Sequence, residues 1–205
     1  AELGVNIGVS GNAGLFVANA SETYDGTTAS DTKSKNTGTE YGAAGYGSIF
    51  IEKTLGSVLL IGIDYVPTAL ETDTTETAKS DQRTAAVDTV TASTNKIQVD
   101  FENMETLYVS VDLWNGVYAK MGEVSIDMIT NESLGTGASY DNIGLDAKMF
   151  GLGFEKDIPY LGGMFMRFEG KYMDFENETA TSGDNTIDIV GLTGASGALS
   201  IGKSF

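Results

Sequence analysis

Arg167, Glu169 and Lys171 are charged residues at every second position. On an extended backbone that spacing puts all three on one face. Glu123 and Asp127, four residues apart, share a face in the same way. Two facing carboxylates could work as acid and base if their surroundings separate their protonation states. They could equally neutralise neighbouring bases in a buried ion-pair network. Composition narrows the choice. The chain contains neither histidine nor cysteine. His-dependent triads, the usual zinc ligands, thiolate metal sites and disulfides are therefore excluded. No catalytic constellation, cofactor-binding motif or metal site is identified, and the chain is read as a non-enzyme.

Charge points the same way. There are 29 Asp and Glu against 12 Lys and Arg, a formal net charge of -17. A protein that binds phosphate backbones needs a basic face, so nucleic acid is not a partner. Divalent cations suit an acidic chain better. Their candidate site is the stretch ETDTTETAKSDQ, with Glu71, Asp73, Glu76 and Asp81. It lacks the spacing of a calcium-binding loop, so a solvated acidic loop carries more weight.

The elements that must position these residues are strands. No apolar run reaches the roughly 18 residues of a membrane-spanning helix. Alternation with period two is pervasive. It marks strands near 3–18, 41–53, 57–69, 96–114, 117–129, 142–156, 163–175 and 186–205. In 96–114 the apolar row runs Ile97, Val99, Phe101, then Leu107, Val109, Val111, Leu113, interrupted only by Asn103 and Glu105. In 117–129, Val124, Ile126 and Met128 form the apolar row, and Lys120 shares its parity. In 142–156 the apolar parity changes from Leu145 and Met149 to Phe150, Leu152 and Phe154, which predicts a bulge near Met149. The connectors alternate long and short. The short ones are KTLGS, WNGV and KDIPYLGG, and Asn115-Gly116 is a strong hairpin signal.

Loops sorted by length emerge at one end. That favours a membrane barrel with long extracellular loops and short periplasmic turns over a soluble sandwich or barrel. The expected fold is all-β: one eight-stranded antiparallel up-and-down transmembrane β-barrel over residues 1–205. Its apolar faces meet lipid and its polar faces fill the lumen. Aromatics near strand ends form the interface girdle: Tyr65, Trp114, Tyr118, Phe154, Tyr160, Tyr172 and Phe205. Lys120 falls on the lipid-facing parity and is expected to snorkel from near the WNGV turn. The lumen should then hold Asp64, Asp112, Glu123, Asp127, Asp146, Lys148, Arg167, Glu169 and Lys171, with Asp100, Glu102 and Asp188 nearer its outer end. If strand ends project beyond the membrane, Asp100 and Glu102 are simply wet, and Asn103 and Glu105 need not face lipid.

The last strand, GALSIGKSF, puts Leu199, Ile201, Lys203 and Phe205 on one face. With the eight strands and alternating connectors, it resembles the small bacterial outer-membrane barrels of the opacity-protein and outer-membrane protein A/X-like groups. The resemblance covers the whole chain. It implies that Leu199, Ile201 and Phe205 act as a signal to the barrel-assembly machinery; Lys203 departs from the usual apolar choice. It also implies an outer-membrane location with lipid as a partner; the start at Ala1-Glu2, without Met, fits a mature chain after signal-peptide removal. The expected function is a structural and surface protein with a largely filled polar lumen and acidic loops that meet ions or other molecules. A porin-like narrow channel for small solutes or cations is the alternative.

Overall fold

Side chains that alternate in polarity over long stretches favour an extended backbone whose two faces meet different surroundings. The computed structural model describes residues 4–24, 34–71, 75–81, 91–133, 140–182 and 185–205. Its strands are β1 (Val5–Tyr24), β2 (Ser34–Leu55), β3 (Leu59–Tyr65), β4 (Leu70–Glu71), β5 (Thr75–Asp81), β6 (Thr91–Trp114), β7 (Val117–Ser133), β8 (Ile143–Asp157), β9 (Met164–Phe175), β10 (Glu178–Ser182) and β11 (Asn185–Ser204). Each pairs antiparallel with its neighbours in the order β1-β2-β3-β6-β7-β8-β9-β11. β4 and β5 continue the β3 position along β6, and β10 continues the β9 position along β11. β11 then pairs back onto β1 from Asn6–Ser204 to Tyr24–Asn185. The eight positions form a closed antiparallel barrel.

The registers give its dimensions. The line of paired residues starting at Ile7 runs through Ile51, Ile63, Leu107, Glu123, Lys148, Asp174 and Thr193, and returns to β1 at Val17. One circuit therefore climbs from residue 7 to residue 17, a shear of ten residues. With ordinary strand spacings, eight strands at that shear tilt by about 40° and enclose a backbone radius of about 8 Å. Side chains fill a tube of that width.

The short turns lie together at one end. Asn115 (φ 48°) and Gly116 (φ 84°) are both left-handed, as a two-residue turn of the mirror-image kind requires. A Cβ at residue 116 would run into the Glu155 carbonyl. Strands reach further than the alternation indicates at the opposite end: β1 extends to Tyr24, β2 starts at Ser34, β6 at Thr91, and β7 reaches Ser133. Those extensions are rich in Ser, Thr and Asn, which leave no apolar row to count. The expected bulge near Met149 is absent. The β7–β8 and β8–β9 registers run past Met149 without a shift. β6 is irregular at Asn103 instead, where φ is 53° and the register slips between Glu102 and Glu105.

Side-chain direction is constant along β8, yet polarity is not. Leu145, Ala147 and Met149 point inward and are buried; Asp146, Lys148, Phe150, Leu152 and Phe154 point outward and are exposed. The apolar row changes sides because the medium changes. Neighbouring strands switch at the same level. Outward residues pass from Met121 to Glu123, from Phe150 to Lys148, from Tyr172 to Asp174 and from Leu107 to Glu105. Inward residues pass there from Lys120 to Val124, from Lys171 to Met173 and from Asp64 to Val66. On the turn side of this level the barrel is polar inside and apolar outside. Beyond it the barrel is apolar inside, around Val66, Met104, Val124, Ile126, Leu145, Met149, Met173, Phe175 and Leu192, and on β6–β9 polar outside.

Candidate functional site

The lumen on the turn side is built around Arg167 on β9. Its guanidinium spans from Glu52 on β2 to Glu155 on β8. Nε donates to Glu155, Nη1 and Nη2 donate to the two Glu52 oxygens, and the Nη2 bond measures 2.7 Å. Glu52 is 2% exposed. A carboxylate this deep needs every lone pair satisfied. The Tyr108 hydroxyl donates to it at 2.7 Å and the Asn6 amide at 3.1 Å. Above this cluster sits a second one. Lys120 on β7 reaches Glu169 at 2.6 Å, the Tyr118 hydroxyl donates to Glu169 at 2.8 Å, and Lys171 lies 3.7 Å from its other oxygen. Lys171 also donates to Asn12 at 3.0 Å, Asn12 donates to Ser48 at 3.2 Å, and Ser48 donates to Asp64 at 3.1 Å. The hydrogen-bonded chain thus crosses from β9 to β3.

Aromatic rings wall in the cations. The Arg167 guanidinium lies 4.6 Å from the Phe165 centroid, and the Lys120 ammonium 4.1 Å from that of Tyr108. Four of the rings that cross the lumen have a paired glycine across the ladder: Phe50 with Gly8, Tyr108 with Gly62, Tyr118 with Gly153, and Phe165 with Gly202. Alternating the largest and smallest residues is how side chains fill a narrow tube.

Several expected site residues stand elsewhere. Arg167, Glu169, Lys171 and Asp64 line the lumen together. Asp112 has the inward parity but is exposed at the turn-side mouth. Glu123, Asp127, Asp146 and Lys148 are exposed on the outer wall, beyond the polarity switch. Asp100 is held by the exposed Asn131, Glu102 pairs with the exposed Asp127, and Asp188 accepts from Thr179. Lys120, expected to face lipid, is buried in the lumen, and Val124 and Ile126 point inward with it. Tyr118, expected in the girdle, is 3% exposed and binds Glu169. Both corrections have one cause. The apolar row of β7 packs inside above the membrane, and its parity alone fits a lipid face equally well. Glu52, Glu155 and Tyr108 were missed as partners. Glu52 was legible as a charge opposite Ile49 and Ile51, but its counterion lies 115 residues away. Of the acidic stretch, Glu71 and the residues from Thr75 to Asp81 form β4 and β5, while Asp73 lies outside the described residues. No cluster of three metal-ligating side chains occurs among the described residues.

The outer wall below the switch decides the setting. Ile7, Val9, Ile49, Ile51, Ile61, Ile63, Leu107, Val109, Phe150, Leu152, Phe168, Leu199 and Ile201 all point away from the barrel and are exposed. Such a belt around a charged interior is stable only in lipid. The chain is an outer-membrane β-barrel. A single-chain antiparallel barrel with an even strand number is the form that spans the bacterial outer membrane. Aromatics rim the belt, with Trp114, Tyr160 and Phe205 at the turn side and Tyr65, Phe150 and Tyr172 at the switch. Leu199 and Ile201 belong to its outward row on β11, and the exposed Phe205 follows the end of that strand.

No protein-family model and no curated sequence matches this barrel. Among solved structures, it is similar to Ail, the attachment invasion locus protein of Yersinia pestis, at 8% identity and TM-score 0.40, over 95% of this chain and 99% of that one. It is similar to Neisserial surface protein A at 10% identity and TM-score 0.38, over 95% and 97% of the two chains. It is also similar to the translocator domain of the autotransporter NalP from Neisseria meningitidis, at 11% identity and TM-score 0.42, over 97% and 88%.

Proposed function

We propose that this barrel is a closed structural and surface protein of the outer membrane, whose outer wall and loops meet the surroundings while its lumen passes nothing. The observation that carries this is a lumen obstructed at two successive levels by opposite means. On the turn side, Arg167 is tied to Glu52 across the bore and to Glu155 on the neighbouring strand, while Lys120 and Lys171 converge on Glu169. Above them, Val124, Leu145, Met149 and Met173 pack against one another, each at most 1% exposed. An ion would have to break charge pairs and then cross a dry apolar layer, whose dewetting alone blocks conduction. The engagement of the lumen carboxylates in ion pairs also supports a role without catalysis.

Planar bilayers containing the purified protein test this. Stable conductance steps should be absent. Sustained, cation-selective steps would overturn the closed reading and favour a narrow channel. Two further roles belong to the proposal. Leu199, Ile201 and Phe205 would be what the barrel-assembly machinery recognises, so Phe205→Ala should lower the amount of folded protein in the membrane. The acidic loops would attract divalent cations.

A further inference from the structure

The polarity switch does not run all the way round the outer wall. Its level can be carried from strand to strand, because a shear of ten over eight strands displaces a level line by about 1.25 residues per strand relative to the pairing line. Glu123 on β7 lies on the pairing line of Ile7 and Ile51. Its level therefore falls near Asn12 on β1, near Gly47 on β2 and, in the other direction, near Gly197 on β11. Beyond that level, β6 to β9 present Glu105, Glu123, Asp127, Asp146, Lys148 and Asp174, all exposed. From this height up to Val17 and Tyr41, the outward residues of the β11–β1–β2 wall are Ala13, Leu15, Val17, Gly45, Ala43, Tyr41, Ala195 and Thr193. None carries a charge. Leu15 is 67% exposed and Tyr41 78%.

This uncharged wall continues the lipid belt without a break. Val9 leads through Gly11 and Ala13 to Leu15 and Val17, and Ile49 leads through Gly47 and Gly45 to Ala43 and Tyr41. A hollow over Gly11, Ala13, Gly170 and Gly197, walled by Leu152 and Phe168, spans the join. At about 2.5 Å of height per residue, the apolar wall rises about 12–15 Å higher on β1 and β2 than on β6–β8. Exposed to water, a patch of this kind is a liability in a soluble setting. Continuous with a membrane belt, it has an occupant beside it already.

We propose that bilayer acyl chains cover the β11–β1–β2 wall up to Val17 and Tyr41, so that the barrel sits tilted, immersed deeper on this side and lifted on the acidic side. The height difference across an outer diameter of about 25 Å corresponds to a tilt of about 25–30°, if the bilayer itself stays flat. The acidic β6–β9 wall then stands clear of the hydrocarbon, where its carboxylates stay hydrated. Membrane interaction is thus specific in azimuth: among the described residues, the β11–β1–β2 face carries apolar surface higher than the β6–β9 face does.

The test uses the absence of native cysteine. Single variants Leu15→Cys, Ala43→Cys, Ser125→Cys and Lys148→Cys carry an environment-sensitive fluorophore on an exposed, outward position. Each is reconstituted in phosphatidylcholine vesicles, with and without chain-brominated phosphatidylcholine, and titrated with iodide. Labels at residues 15 and 43 should be quenched by brominated lipid at least about twofold more than those at 125 and 148, with the reverse order for iodide. Equal iodide quenching at all four sites would overturn the proposal, because the wall would stand in water. Shielding of 15 and 43 from both quenchers would overturn it too, because protein would then cover the wall.

Discussion

Replacing Arg167 by alanine tests whether the lumen network is an interlocked unit or loose filling. Three charge-assisted bonds disappear, two to Glu52 and one to Glu155. The two acceptors should respond differently. The Glu155 side chain is 33% exposed, so water takes up much of its loss. The Glu52 side chain is 0% exposed in its pair and keeps only Tyr108 and Asn6. Removing one partner of a buried pair costs about 3–5 kcal/mol, mostly because a desolvated charge is left behind. The expected destabilisation of Arg167→Ala is therefore about 3–5 kcal/mol. The paired replacement Glu52→Leu with Arg167→Met leaves no orphaned charge between those two and should lie within about 1–2 kcal/mol of the parent. A double-mutant cycle should then show a coupling energy of several kcal/mol. Urea unfolding from lipid vesicles can follow the chain's one tryptophan, Trp114, at the edge of the belt. The slope with denaturant should stay constant across the cycle. If Arg167→Ala unfolds within about 1 kcal/mol of the parent at unchanged slope, Glu52 is reached by water and the plugged-lumen argument fails.

Two further outcomes are expected. Val124→Asp puts an unpaired carboxylate into the apolar layer, where a side chain is 1% exposed, and should cost about 3 kcal/mol or more; Ser125→Asp, one residue on and outward, should stay within about 0.5 kcal/mol. If the two changes cost the same in urea unfolding, the inward packing of β7 above the membrane is wrong. Gly153→Ala would press its methyl into the Tyr118 ring and should cost about 1–3 kcal/mol, with a visible loss of the folded, heat-sensitive band on gels; an unchanged band and midpoint would refute the ring-over-glycine packing.

Much of the architecture was legible because lipid and lumen impose opposite polarities on alternate residues. Ile49, Ile51, Ile61 and Ile63 face outward as their parity indicates, and the Asn115-Gly116 turn forms where two left-handed residues are available. What misled was the assumption that one medium accompanies a strand along its whole length. Beyond the switch, Val124, Ile126 and Leu145 are apolar because they face inward, and Glu123, Asp127 and Asp146 are charged because they face water. A pattern of period two records that the sides differ, never which side is which. The same ambiguity turned a straight β8 into an expected bulge at Met149, and it moved Lys120 from the lumen to the lipid. The ion-pair partners were illegible for another reason. Arg167, Glu169 and Lys171 share one strand and can be counted along it. Glu52 and Lys120 meet them only across the bore, after the register of every intervening strand is known.

The closed register has a consequence in time. Ser10 and Ser200 share a hydrogen bond across 190 residues of sequence, and Glu52 meets Arg167 across 115. At ordinary synthesis rates, Glu52 is incorporated about 6–23 s before its counterion exists. A nascent chain that has reached β8 holds Glu52 and Lys120 but neither Arg167 nor Glu169, and its first strand has no partner on its far side. No prefix of this chain is a smaller version of the whole. Loop closure over such separations gains nothing until the last strand arrives. The barrel is therefore an all-or-nothing object, and it needs custody until the final strand is in place.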